Sequence, residues 1–147
     1  MKISISASAP SCKGFTLVEL MVTIVVVSIL ASIAIPGYTS QIRKSRRTEA
    51  RNAVLDAAAR EERYFATHNI YSGAAADLGY TAFPAQVGQY YNLSVQCGAA
   101  CATSFQVTAS PIQTGPQVND TACTSFTVDQ TGLQTATPAA NNTLCWN

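Results

Sequence analysis

The sequence predicts an α+β fold, with one long N-terminal helix followed by an antiparallel sheet of about four strands. Three observations predict it. From Phe15 to Ile42 the only charged residue is Glu19. Apolar residues then recur at three- and four-residue steps as far as Phe65. From Gln89 onward the chain breaks into short alternating runs bounded by Gly, Pro, Asn and Asp. The first two patterns are helical and the third is that of half-buried strands.

Charge divides the 147-residue chain more sharply than its net value of +1 implies. Lys2 and Lys13 precede the apolar run, and all other basic residues (Arg43, Lys44, Arg46, Arg47, Arg51, Arg60 and Arg63) lie between positions 43 and 63. Beyond Arg63 the only charged side chains are Asp77, Asp120 and Asp129. Such a C-terminal half makes a poor phosphate-binding surface, because nucleic-acid affinity rests on Lys and Arg neutralising phosphates. It suits an exported surface rich in Thr, Ala, Gln, Asn and Ser.

Residues 1–14 read as a short polar leader. In an ordinary secretory leader the apolar core comes before the cleavage site. Here the candidate cleavage point, Gly14-Phe15, comes first, so the apolar core stays on the processed chain. Residues 15–42 exceed the ~20 needed to cross a bilayer. β-Branched residues such as Val25, Val26, Val27 and Ile29 are no obstacle in lipid, where the backbone must pair within the helix. Pro36-Gly37 predicts a kink or a locally unwound turn, since proline removes a donor and clashes with the preceding turn.

Residues 43–147 then supply the second half of the helix and a globular head. Ala50, Ala53, Val54, Ala57, Ala58, Tyr64 and Phe65 form an apolar stripe that needs a sheet to rest on. Residues 67–87 read as irregular, punctuated by Asn69, Gly73, Gly79 and Pro84. Strands are predicted at 89–95 (Tyr91, Leu93 and Val95 inward), 104–109 (Phe105, Val107, Ala109) and 124–128, with a short fourth from Leu133. The loop from Pro111 to Asp120 and the turn Asp129–Gly132 separate them. The apolar first half of the helix has no such sheet and implies lipid or a bundle of like helices as its cover.

Glu19 admits two readings. Thr16-Leu17-Val18-Glu19 fits a capping box, with Thr16 as N-cap and Glu19 reaching back. Alternatively, cleavage after Gly14 frees an amine on Phe15, and Glu19 of one subunit neutralises that of a neighbour in an apolar assembly. Either way, a carboxylate in such a segment is costly without a partner.

Five cysteines are present, and loss of the leader with Cys12 leaves Cys97, Cys101, Cys123 and Cys145. An even set in a small exported domain reads as two disulfides, whose connectivity spacing alone leaves open. Cys97-x3-Cys101 also has zinc-like spacing, but Cys123 and Cys145 lack a close second pair. His68 is the only histidine, and no nucleophile–base pair or phosphate loop is visible. The sequence predicts no enzyme, metal or cofactor.

Gly14-Phe15-Thr16-Leu17-Val18-Glu19-Leu20, the apolar run and Pro36-Gly37-Tyr38 together resemble the N-terminal signature of type IV pilins. The stretch from Tyr64 to Tyr71 and the closing Cys123…Gly132…Cys145-Trp146 resemble a group of small pilins that includes minor pilins. The resemblance implies a prepilin peptidase that cleaves between Gly14 and Phe15 and methylates the Phe15 amine. It implies an inner-membrane subunit with a periplasmic head, drawn by an assembly machinery into a surface filament of other pilin subunits for adhesion or twitching motility. It also implies a helix core registered by Glu19, and a Cys123–Cys145 clip on the C-terminal loop, leaving Cys97–Cys101. A type II secretion pseudopilin and a DNA-uptake pilin share the N-terminal motif; the charge distribution speaks against DNA as a partner. Arg43, Lys44, Arg46 and Arg47 outweigh the leader's charges, which by the positive-inside rule opposes a periplasmic head. They read as a solvated helix face, or as partners for acids such as Glu49 or for neighbouring subunits.

Overall fold

The computed structural model describes residues 14–98 and 101–147. Most of the leader, with Lys2, Cys12 and Lys13, lies outside the described residues. Helix α1 spans Leu17–His68. Five strands follow: β1 (Ala85–Val87), β2 (Tyr91–Cys97), β3 (Phe105–Pro111), β4 (Ser125–Asp129) and β5 (Gln134–Thr137), and a short helix α2 (Asn142–Trp146) closes the chain. The chain forms two units that divide within α1, between Thr39 and Ser40.

In the first unit α1 is apolar around its circumference, and it stays helical through Pro36 and Gly37 without an unwound turn. Its hydroxyl side chains turn back onto the helix backbone: Thr23 donates to the Glu19 carbonyl at 2.7 Å and Ser28 to the Ile24 carbonyl at 2.7 Å. These two hydroxyls are thereby satisfied locally, as an apolar environment demands.

In the second unit the strands form a single antiparallel meander in the order β1-β2-β3-β4-β5. β2 and β3 pair over seven residues, placing Leu93 opposite Ala109 and Val95 opposite Val107. The alternation read from the sequence sets which face is inward: Tyr91, Leu93, Val95, Phe105, Val107, Ala109, Phe126 and Val128 are all buried. On that face lies the helical stripe, with Ala50, Val54, Ala57 and Ala58 in the same core cluster. Alanines let the helix approach the sheet closely, while Leu93, Val107 and Phe126 supply apolar burial of about 1.5–3 kcal/mol each.

The sheet has five strands where the sequence pattern predicts about four. The additional one, β1, falls inside the segment read as irregular. It is three residues long, too short for an alternation to show, and is defined by pairing with β2 from Ala85↔Leu93 to Val87↔Tyr91. The C-terminal polar stretch also has structure, a 3-10 turn at Ala139–Asn141 leading into α2. Trp146 Nε1 donates to the Thr135 carbonyl at 3.0 Å and its ring meets Phe126 edge-on at 5.8 Å, which fastens α2 to β5 and β4.

Candidate functional site

The segment that carries the chemistry begins at the start of α1. Thr16 Oγ1 accepts the Glu19 backbone N–H at 3.2 Å, which is the N-cap half of the predicted capping box. No hydrogen bond or ion pair engages the Glu19 carboxylate among the described residues, and the residue is exposed. The large apolar side chains around and behind it, from Phe15 to Ile35, are exposed, Phe15 at 82% and Ile33 at 73%. α1 is long and apolar enough to cross a membrane, and none of its most apolar window is buried among the described residues. Among the described residues nothing covers this apolar surface or pairs with the acid at its start.

The head presents two disulfides. Cys97 bonds to Cys101 and Cys123 to Cys145. Together they engage all four thiols that a zinc site would need. Cys123–Cys145 spans 22 positions and ties the segment leading into β4 to α2. Cys97–Cys101 closes a short turn at the end of β2, where the Cys101 carbonyl accepts the Tyr71 backbone N–H at 2.8 Å. Among the described residues no cluster of three or more His, Cys, Asp or Glu is arranged to hold a metal ion.

Comparison with known proteins settles the family. Residues 10–35 match the prokaryotic N-terminal methylation motif, and residues 36–127, more than half of the chain, match the family described as type IV minor pilin ComP, DNA uptake sequence receptor. The chain belongs to the type IV pilin family. It is 33% identical over 103 residues to fimbrial protein EcpC of Eikenella corrodens, covering 70% of this chain and 65% of that protein. It is 30% identical over 95 residues to the type IV major pilin protein PilA of Myxococcus xanthus, covering 64% of this chain and 42% of that protein. Against fimbrial protein Q of Moraxella bovis the identity is 56% over 36 residues, 24% of this chain and 23% of that protein. The chain thus matches less than two thirds of the length of these relatives.

The pilin head also holds two polar clusters that the sequence pattern did not reveal. Of the two readings of the basic residues after the apolar run, a solvated face or partners for acids, Arg47 follows the second, and its partner is Asp120. Its Nε and Nη2 donate to the two carboxylate oxygens at 2.7 and 2.6 Å, and the side chains are only 13% and 2% exposed. Gln117 Nε2 donates to the same carboxylate at 2.9 Å. The hydrogen bond to Asp120 raises the Arg47 pKa above its ordinary value, so the guanidinium stays charged. Nearby, burial pushes the Tyr91 hydroxyl up to about 12, and its oxygen has no partner among the described residues. This network fastens the 3-10 turn Pro116–Asn119 to α1, across a separation of 73 positions.

The second cluster surrounds Glu61, which sits on the buried stripe four residues after Ala57. It is 0% exposed. Oε2 accepts the Ser72 backbone N–H at 2.9 Å, while Oε1 has no partner among the described residues. Burial raises its pKa; the Ser72 bond opposes this, and the charges of Glu62 and Asp77 add to the rise. Spacing alone contained the signal, since positions 57, 58 and 61 share a helical face.

Proposed function

We propose that the chain is a structural subunit, of the minor class, of a type IV pilus. In this reading residues 1–14 are a leader removed by a prepilin peptidase between Gly14 and Phe15, and the new Phe15 amine is methylated. Residues 15–42 anchor the subunit in the inner membrane with its head in the periplasm, and later line the centre of a surface filament. Residues 43–147 form the rest of the helix and the head. The observation that supports this most is the apolar stretch of α1, exposed along its length and charged only at Glu19. Neighbouring helices would bury that surface, and contacts of this heterologous kind propagate as an open helix.

Glu19 then has a task that the capping bond leaves free. The cap uses the Glu19 backbone N–H, so the carboxylate is available to pair with a neighbour's Phe15 amine. In an apolar core that pair fixes axial register, because a misplaced subunit leaves both charges buried and unpaired. Glu19→Ala is expected to insert in the membrane but to be lost from sheared filaments. Equal amounts of variant and wild type in filaments would refute the pairing.

A second reading, a DNA-uptake pilin, is favoured by the family match over residues 36–127. Against it stands the absence of Lys and Arg after Arg63. Electrophoretic mobility shifts with duplex DNA separate the two. Salt-sensitive binding by the chain supports DNA uptake, and no shift at low salt supports a purely structural subunit.

A further inference from the structure

We propose that Arg43 and Lys44 dock this chain on the phosphate layer of an anionic phospholipid bilayer before it joins a filament. The inference rests on the reading that residues 15–42 are held in a bilayer at that stage. Five cations lie between positions 43 and 51, accompanied by one acid, Glu49. The fold sorts them. Arg47 is committed to Asp120. The Arg46 guanidinium lies 3.8 Å from the centre of the Tyr90 ring. Arg51 donates to the Asn147 carbonyl at 2.9 Å and to Thr48 at 3.0 Å. Arg43 and Lys44 are exposed, and their side chains make no hydrogen bond or ion pair among the described residues.

These two residues follow directly on the apolar run. Leu17 to Ile35 is enough helix to cross a hydrocarbon core, a task that takes roughly 17–25 residues. Eight further residues lead to Arg43, a contour of ~12 Å, and headgroups occupy roughly the first 5–7 Å of it. Long basic side chains characteristically reach back towards that layer. Lys44 also lines an open cleft of about 470 Å³ together with Thr48, Arg51, Thr143 and Leu144. Lys44 is the uncommitted cation of that cleft, and Thr143 and Leu144 set a hydroxyl and an apolar wall beside it, which suits a phosphodiester with its glycerol end.

Lipid phosphate fits this site better than nucleic acid does. A duplex-binding protein gains affinity by neutralising many phosphates, commonly about 6–10. Two uncommitted cations cannot supply that, and no basic residue lies beyond Arg63 to extend the track. A helix already inserted in a bilayer needs far less, because its anchoring holds the headgroups at high effective concentration. Each basic residue near an anionic surface is then worth about fivefold in occupancy.

The test uses the full chain in bilayer nanodiscs of phosphatidylcholine alone or mixed with phosphatidylglycerol, with the lipids retained on the released protein counted by native mass spectrometry. Wild type is expected to enrich phosphatidylglycerol, and the doubly substituted Arg43→Gln/Lys44→Gln chain to lose that preference by up to about 25-fold. High salt should reduce the wild-type preference, and Arg63→Gln should leave it unchanged. Equal retention of both lipids by wild type, or an undiminished preference in the double variant, overturns the proposal. So does loss of duplex-DNA binding in the double variant with lipid preference intact, which would assign the pair to nucleic acid. Failure of wild type to enter any nanodisc would instead contradict the membrane reading beneath it.

Discussion

The two halves of α1 follow opposite rules. From Leu17 to Thr39 apolar residues lie all round the helix and remain exposed; from Ser40 to His68 a single face is buried, through Ala50, Val54, Ala57, Ala58 and Glu61. The second half is completed by its own chain, because a sheet with matched alternation covers its stripe. The first half has no such cover among the described residues. The difference teaches that head stability and assembly are encoded separately along one continuous element, so substitutions should be able to damage either alone.

The largest effect is expected in the second half. Asp120→Ala leaves Arg47 nearly buried and unpaired, a situation that costs about 3–5 kcal/mol. Thermal unfolding of the full chain in detergent, followed by near-UV circular dichroism, should show a much lower Tm with membrane insertion intact. Replacing both partners by apolar residues (Arg47→Met with Asp120→Leu) should recover most of the loss; failure to recover would mean that the ion pair itself, and not the burial of a lone charge, sets the stability. Reduction is next. Cleaving Cys123–Cys145 should cost about 3 kcal/mol and Cys97–Cys101 about 2, by the chain-entropy relation for their loops. A Tm unmoved by reductant would show that neither clip restrains the unfolded chain.

Breaking the first half should have the reverse signature. Val26→Asp places a second acid in the apolar stretch, at an insertion cost of about 2.5–3.5 kcal/mol. Membrane fractionation should show poor insertion while the Tm of the head stays at its wild-type value. A shifted Tm would mean that the two halves are not separable.

The smallest effect is the pH response of Glu61. Its folded-state pKa is raised by burial, so the folded chain holds its proton more tightly than the unfolded chain does. The stability it contributes is full below the unfolded carboxylate pKa and is lost as pH rises through the higher folded value. Glu61→Gln should flatten the dependence of Tm on pH across that window; an unchanged slope would assign it to other carboxylates.

Much of this was legible in the residues. Tyr91, Leu93 and Val95 alternate strictly, as do Phe105, Val107 and Ala109, and each set marks the buried face of its strand. The stripe at Ala50, Val54 and Ala57 marks the buried face of the helix in the same way. Periodicity is a local signal, however, and the remaining features are not local. β1 is a strand because β2 lies beside it. Arg47 finds Asp120 across 73 positions, which no spacing rule reports. Glu61 was concealed by its type, since an acid on an apolar stripe reads as an interruption until the Ser72 N–H appears opposite it. The Thr16–Glu19 motif was legible as a cap and as a pairing acid, and its bond pattern is compatible with both, because backbone and carboxylate take different partners.

The central claim is that the uncovered half of α1 is the buried core of a filament, beginning at Phe15. Intact-protein mass spectrometry of purified, sheared surface filaments tests it most directly. The account predicts this chain in the filaments at substoichiometric abundance, starting at an N-methylated Phe15. Its absence from filaments while it accumulates in the membrane, or its presence there with residues 1–14 still attached, would contradict that claim.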